Sequence, residues 1–401
     1  MTTSEVVNNM SRQAEPRPIV KAMSQLRQLI SAGEWDRGQK LPTEFELAVR
    51  LGVSRGTARN ALTRLEDLGI IRALDASGGK IRGRVVVGSG PCRSLMSRTI
   101  MLMTHHPSQV QGPAAVPEWN KEMFIEAGIS DATQSASLNF LCLRPSSLTD
   151  ADIGHLLDDP PIGLLANEYV AREVDSMAVI ARLVRGGLSL VATGGPAFAA
   201  YDRVISDHES GAYELTRWLI ARGRRRIVQL GFSDPELYWV KQRAAGYRRA
   251  MAEAGLETIE RVYVPIRVGD RRSVESVTED EFRTYVRQAV GFVLDATSGA
   301  TAAEAIMADN DVDAAYYLAA LRMLGRKPND DVAVVGYDNA WMNPQRAWEP
   351  ARPAATVDKL NMEIGRRMVR TLLDRTSGRL SSEEAPRVCI VPPKLIDLSQ
   401  N

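Results

Sequence analysis

From Ile19 to Ala32, apolar residues recur at Ile19, Met23, Leu26, Leu29 and Ile30, a spacing that predicts an amphipathic helix ended at Gly33. Thr43 and Glu46 then stand at capping-box spacing, so a second helix is expected to begin there and run to about Leu51. Gly52 breaks it. Ser54 can cap a third helix, which gathers Ala58, Ala61, Leu62 and Leu65 on one face and Arg55, Thr57, Arg59, Asn60 and Arg64 on the other. Past Gly69 the pattern turns extended, with strands expected at Ile70–Leu74 and Arg82–Val87 around a Gly78-Gly79-Lys80 tip. Two short helices, a tight turn and a basic hairpin predict a winged helix-turn-helix. Its third helix is sized for a major groove, with a basic wing beside it.

Beyond a Gly- and Ser-rich stretch between Val87 and Arg98, taken as an interdomain linker, the pattern changes again. Short apolar runs at Thr99–Thr104, Leu138–Leu143, Gly163–Ala166, Leu188–Ala192, Val204–Ser206, Ile227–Leu230, Val262–Pro265, Ala305–Met307 and Val332–Val335 alternate with helix-length segments. Continuous apolar strands between helices predict parallel sheets covered on both faces. Nine such strands are too many for one small sheet. Two α/β lobes with a cleft between them are expected, and clefts of that kind take small molecules at the strand ends.

Composition narrows the function classes. Of 401 residues, 44% are hydrophobic and 25% charged, values ordinary for a globular chain. No run of about twenty apolar residues occurs, so no membrane span is expected. Residues 1–15 are polar and lack the apolar core of a secretory signal; they are expected to be disordered. Cys92, Cys142 and Cys389 are scattered, and with His105, His106, His155 and His208 they show no metal-ligand spacing. No cofactor is expected, and a cytoplasmic location follows most simply. The overall charge of +1 hides an asymmetry: residues 1–88 carry 14 basic and 9 acidic side chains, while the rest carry 36 and 40. Positive charge is concentrated where phosphates would be met.

The segments Leu41-Pro42-Thr43-Glu44, Glu46-Leu47-Ala48, Leu51-Gly52-Val53-Ser54-Arg55 and Arg59-Asn60-Ala61-Leu62 resemble the GntR family of bacterial transcription regulators. The resemblance implies DNA contacts from Arg55 and Arg59. Thr43, Ser54, Thr57, Asn60, Gly79 and Lys80 complete the expected interface, with phosphate contacts from Lys80, Arg82 and backbone amides. One departure stands out: Phe45 occupies a position where the family often has arginine or asparagine.

A second resemblance, to the effector-binding core of the LacI/GalR family, rests on Arg203 to Gly211, Arg222 to Gly231, Arg243-Ala-Ala-Gly246-Tyr247, Ala308-Asp309-Asn310-Asp311 and Asp331 to Asp338. It is strong from about Val191 to Val391 and weaker from Arg98 to Leu190. That core is related to periplasmic sugar-binding proteins. It implies that Arg243 and Asp338 contact ligand hydroxyls, joined by Asn310, through the charge-assisted hydrogen bonds that polyols need in a dry site. Trp341 and Trp239 are candidate platforms for an apolar sugar face. The competing readings are structural: Asp338 as the cap of the following turn, Arg243 as a surface helix arginine, and both tryptophans as packing residues. Asp207 is expected to cap the helix starting near His208. Residues Arg267 to Thr301 have no clear counterpart, and the first lobe's contacts would come from the long His105–Trp119 loop, with His105 and Gln109 as candidates.

Together these readings divide the chain into a disordered 1–15, a winged helix-turn-helix at 16–88, a linker at 89–97 and a two-lobed periplasmic-binding-protein-like α/β domain at 98–401. The combination resembles arabinose-repressor-type regulators. It implies a homodimeric repressor of double-stranded operator DNA, controlled by a small-molecule effector, a sugar, and with no membrane partner. Two alternatives remain: a purine or other non-sugar effector, and a C-terminal half that serves only for oligomerisation or partner docking. No nucleophile elbow, P-loop or metal cluster supports an enzyme.

Overall fold

The computed structural model describes residues 18–31, 33–36, 38–67, 69–75, 81–87, 94–104, 121–265, 278–341, 352–377, 379–380 and 384–399. Residues 1–15, most of the expected linker, Gly79 and Lys80 of the wing tip, the Arg82 side chain, and His105 and Gln109 lie outside that description. The chain forms two compact units. One comprises residues 1–107, 129–203 and 367–387; the other comprises 108–128, 204–366 and 388–401.

The first unit opens with α1 (Pro18–Ser31), α2 (Glu44–Leu51) and α3 (Arg55–Asp67). The capping box forms as its spacing predicts: the Glu46 N–H donates to Thr43 Oγ1 at 3.3 Å, and the Thr43 N–H donates to Glu46 Oε2 at 2.7 Å. Gly52 ends α2 in the left-handed region at φ 64°, and the Thr57 N–H donates to Ser54 Oγ at 3.1 Å to open α3. Ala58, Ala61, Leu62 and Leu65 are all buried, the last three against Met23, Leu26, Leu47 and Leu51. The wing strands β1 (Ile71–Asp75) and β2 (Ile81–Val86) pair antiparallel, with Ile71 opposite Val86. They sit one residue from the expected bounds because the Ile70 N–H still closes the end of α3 on the Leu65 carbonyl.

The remaining elements alternate strand and helix through β3 (Thr99–Met103), α4 (Lys121–Ser135), β4 (Asn139–Leu143), α5 (Asp150–Asp158), β5 (Gly163–Ala166), α6 (Val174–Arg185), β6 (Leu190–Ala192) and β7 (Asp202–Ser206). They continue with α7 (His208–Ala221), β8 (Ile227–Gly231), α8 (Tyr238–Glu253), β9 (Val262–Tyr263), α9 (Glu279–Thr297), β10 (Ala305–Ala308), α10 (Asp311–Met323) and β11 (Ala333–Val335). The chain closes with β12 (Ala355–Asp358), α11 (Asn361–Thr376), β13 (Val388–Val391) and β14 (Lys394–Asp397). One six-stranded sheet has the order β13-β7-β6-β5-β3-β4 and the other β14-β12-β11-β10-β8-β9, so the parallel α/β reading holds. All nine expected strands form. Three more, β12, β13 and β14, escape the apolar-run pattern: Thr356 and Asp358 interrupt the first, and the other two are partly exposed. β14 also runs antiparallel to β12.

In the second sheet, alternate residues divide between two cores. Val228, Leu230, Ile306 and Val334 belong to one, and Ile227, Met307, Ala333 and Val335 to the other. That period of two is what a sheet covered on both faces requires. Because β8, β10 and β11 are parallel neighbours, their carboxyl ends lie along one edge of the sheet. Ligand sites of open parallel sheets form there.

Candidate functional site

Two side-chain groups carry chemistry. The first is on α2 and α3. Arg55, Arg59 and Asn60 are exposed and Thr57 is half-buried, as a groove-reading face requires. Glu44, the first residue of α2, ties that face together. Its Oε2 lies 3.0 Å from Arg59 Nε and 3.7 Å from Arg55 Nε, and its Oε1 lies 3.1 Å from Arg84 NH1 on the wing strand. Arg84 is buried and also meets Glu66 Oε2 at 3.2 Å. Burial works against ionising Glu44, but hydrogen bonds from Arg84 and Arg59 outweigh it and hold the carboxyl below its usual range. Phe45 is 65% exposed beside this cluster. Thr43 and Ser54 spend their hydroxyls on the helix caps.

The second group lies in the second unit, at the carboxyl edge of its sheet. Arg243 projects from α8 and is buried, so it is not a surface helix arginine. Its guanidinium carbon stands 3.5 Å from the Tyr337 ring centre and 4.6 Å from that of Trp239, while NH1 donates to the Asp309 carbonyl. NH2 reaches His208 Nδ1 at 3.4 Å and Asp338 Oδ1 at 3.7 Å. Asp338 adopts φ +91°, a costly conformation for any residue but glycine. Its N–H donates to the Val357 carbonyl at 2.7 Å, and Lys359 Nζ stands 3.0 Å from its Oδ1. Burial pushes the Tyr337 phenol well above its ordinary range.

Neighbouring acids build the floor. Asp309 accepts from Arg261 NH2 with both oxygens, at 2.9 and 2.8 Å, and from the Ser233 N–H at 3.0 Å. Asp311 accepts from Thr356 Oγ1 and the Ala340 N–H, and so anchors the turn carrying Asp338. A cavity of about 10 Å³ beneath Arg243 is lined by Gln229, Arg261, Asp309 and Tyr337, among others. It has room for one water molecule. Among the described residues no group of side chains could hold a metal ion.

Residues 19–81 match the family described as bacterial regulatory proteins, gntR family, and residues 216–397 match the periplasmic binding protein-like domain. The winged helix is thus similar to the gntR family, and the region from 216 to 397 to the periplasmic binding protein-like domain. Curated relatives include the HTH-type transcriptional repressor PurR of Vibrio campbellii, 29% identical over 202 residues, which are 50% of this chain and 53% of the relative. The HTH-type transcriptional regulator DegA of Bacillus subtilis is 30% identical over 195 residues, 49% of this chain and 50% of the relative. The HTH-type transcriptional regulator CelR of Thermobifida fusca is 32% identical over 172 residues, 43% of this chain and 44% of the relative. The chain thus spans about half the length, or less, of these curated relatives. Among solved structures, a transcriptional regulator CelR–cellobiose complex aligns with a TM-score of 0.53 at 22% identity, covering 89% of this chain and 98% of that one. A LacI-family regulatory protein from Chloroflexus aggregans gives 0.55 at 22%, covering 76% and 99%. At those identities the likeness establishes the fold.

Arg243 and Asp338 come together, their NH2 and Oδ1 3.7 Å apart. Asn310 is at the same sheet edge, but its Oδ1 caps α10 by accepting from the Val312 and Asp313 N–H groups, both at 2.9 Å. Trp239 lies over Arg243, whereas Trp341 is half-buried with Arg352 5.4 Å from its ring centre. Asp207 caps α7 through the Ser210 N–H at 2.9 Å, as expected. Sequence reading passed over Glu44, Tyr337, His208, Arg261 and Lys359 as site residues. Glu44 and Tyr337 lie inside the quoted motifs and were within reach. Lys359 follows an unrecognised strand, and no local signal marks it.

Proposed function

We propose that this chain is a one-component transcriptional regulator: the winged helix binds operator DNA, and the periplasmic-binding-protein-like domain binds a small-molecule effector, a sugar, that changes operator affinity. The observation that carries it is the joining in one polypeptide of exposed Arg55 and Arg59, prepositioned by Glu44, to a buried Arg243 set beside Asp338. Arg55, Arg59, Thr57 and Asn60 read base edges, and the wing supplies phosphate contacts. Guanidinium, carboxylate and a stacked indole match the hydroxyls and apolar face of a sugar. The strained backbone at Asp338 supports a ligand-binding role for that carboxylate. A homodimer presents two such helices to the half-sites of a pseudo-palindrome. The reading is of a cytoplasmic repressor, like the PurR relatives, and not of an enzyme. Coupling is reciprocal, so operator and effector alter each other's affinity by the same factor.

The test is selection of duplexes from a randomised pool by the whole chain, followed by fluorescence anisotropy. Arg59→Ala is expected to cost about 1–3 kcal/mol on the selected duplex. A thermal-shift screen against sugars and nucleobases, with Arg243→Ala and Asp338→Ala alongside, then examines the second domain. Absence of any sequence-selective duplex would overturn the regulator reading. Stabilisation by a ligand that survives both substitutions would move the effector site elsewhere.

A further inference from the structure

Two acids of the first unit stand where their own helix does not favour them. Asp158 is the last residue of α5 and Asp159 its C-cap, so both carboxylates sit at the negative end of a helix dipole. The charges that answer them come from the winged helix of the same unit. Arg64 NH1, on α3, stands 3.7 Å from Asp158 Oδ1. Arg27, half-buried on α1, lies within reach of Asp159: burial pulls its guanidinium below the ordinary range, and the Asp159 charge works the other way. Asp159 Oδ2 accepts from the Ser94 hydroxyl, while its Oδ1 is buried without a hydrogen-bond partner.

A third tie involves α1 again. The Gln28 side-chain amide donates to the carbonyl of Thr376, the last residue of α11. The final carbonyls of a helix have no partner within it, so α1 supplies one from outside. Arg27, Gln28 and Arg64 thus set the winged helix against the negative ends of two helices. Arg64 is also on the exposed side of α3, one turn beyond Asn60 and two beyond Thr57. A guanidinium there is placed for a DNA phosphate, and Asp158 already holds it.

We infer that the acidic end of α5 is an autoinhibitory latch, which holds the winged helix against the α/β part of the first unit and competes with DNA for Arg64. This inference rests on the regulator reading above. Asp158 stands in for a phosphate at Arg64, so a duplex must displace it to use that guanidinium. The Arg27 and Gln28 contacts lie on α1, off the reading helix, and set how the winged helix docks. The Arg64–Asp158 pair is exposed and weak by itself. A weak pair suits a latch, because a duplex brings many phosphates and outcompetes one carboxylate.

The test uses the whole chain, the duplex it selects from a randomised pool, and fluorescence anisotropy at low salt. Asp158→Asn removes the latch charge at an exposed position and should tighten binding about two- to fivefold. Asp158→Lys, which reverses the charge, should tighten it further. Gln28→Ala, exposed and off the reading helix, should act in the same direction. Asp150→Asn removes an equal charge at the other end of α5, roughly 12 Å along the axis, and should leave affinity unchanged. In an Arg64→Ala background the gain from Asp158→Asn should vanish, since the latch acts through that guanidinium. Selective binding that Asp158→Asn leaves unmoved or weakens, or a gain that persists without Arg64, would overturn the inference and leave the regulator reading intact. No sequence-selective duplex for the parent or any variant would overturn both.

Discussion

Removing the Asp309 side chain tests the floor of the site most directly. Arg261 is 12% exposed, and both of its contacts to Asp309 are under 3 Å. Asp309→Ala strands that guanidinium in a nearly dry position and takes an acceptor from the Ser233 N–H. Breaking a buried pair from one side costs about 3–5 kcal/mol, most of it the price of the abandoned charge. At roughly 2–4 °C per kcal/mol for a lobe of this size, the melting point should fall by about 6–20 °C. Differential scanning calorimetry of the whole chain reads the shift, and hydrogen exchange at the β8 and β10 amides localises it to the second unit. The decisive comparison is Asp309→Ala with Arg261→Met in the same chain. If the stranded cation is the cause, the second substitution recovers at least half of the loss, because an apolar pair of similar volume carries no desolvation penalty. A loss below about 1 kcal/mol, or two losses that simply add, would refute the reasoning.

Three further outcomes follow from the same structure. A Cβ on Gly246 would collide with the Glu209 carbonyl and approach Tyr213 N to 2.8 Å, so Gly246→Ala should force α7 and α8 apart and destabilise by about 1–3 kcal/mol in chemical unfolding. Glu44 ionises more readily folded than unfolded, so its contribution is present above the ordinary carboxylate range and lost as pH falls through its lowered value. Glu44→Gln should accordingly flatten the acid side of the winged helix's stability profile, measured by circular dichroism. The Thr43 hydroxyl holds one half of a capping box, so Thr43→Ala should cost about 0.5–2 kcal/mol and fray α2 in hydrogen exchange.

Local chemistry made the winged helix legible. Its capping box, the glycine after α2 and the alanine–leucine face of α3 each act within a few residues, and each appears where the spacing places it. The same holds for central strands such as β3, β5, β8 and β10, which are buried throughout and so need an unbroken apolar run. The other three lack it: Val388 and Ile390 of the edge strand β13 are exposed, β14 at the other sheet's edge is partly exposed, and β12, between β14 and β11, carries two polar residues.

The site divides along the same line. Arg243 and Asp338 were marked by the order of their motifs, but their meeting across some ninety residues of sequence is the work of parallel strands that align β8, β10 and β11. Asn310 also begins a helix, and its amide oxygen caps it through the Val312 and Asp313 N–H groups. Sequence by itself determined the periods, the caps and the charge asymmetry, because those depend on neighbours along the chain. Only the tertiary structure decided that Glu44 would gather three arginines and that Lys359 would cover Asp338, because those pairings are set by burial and distance between elements far apart in sequence.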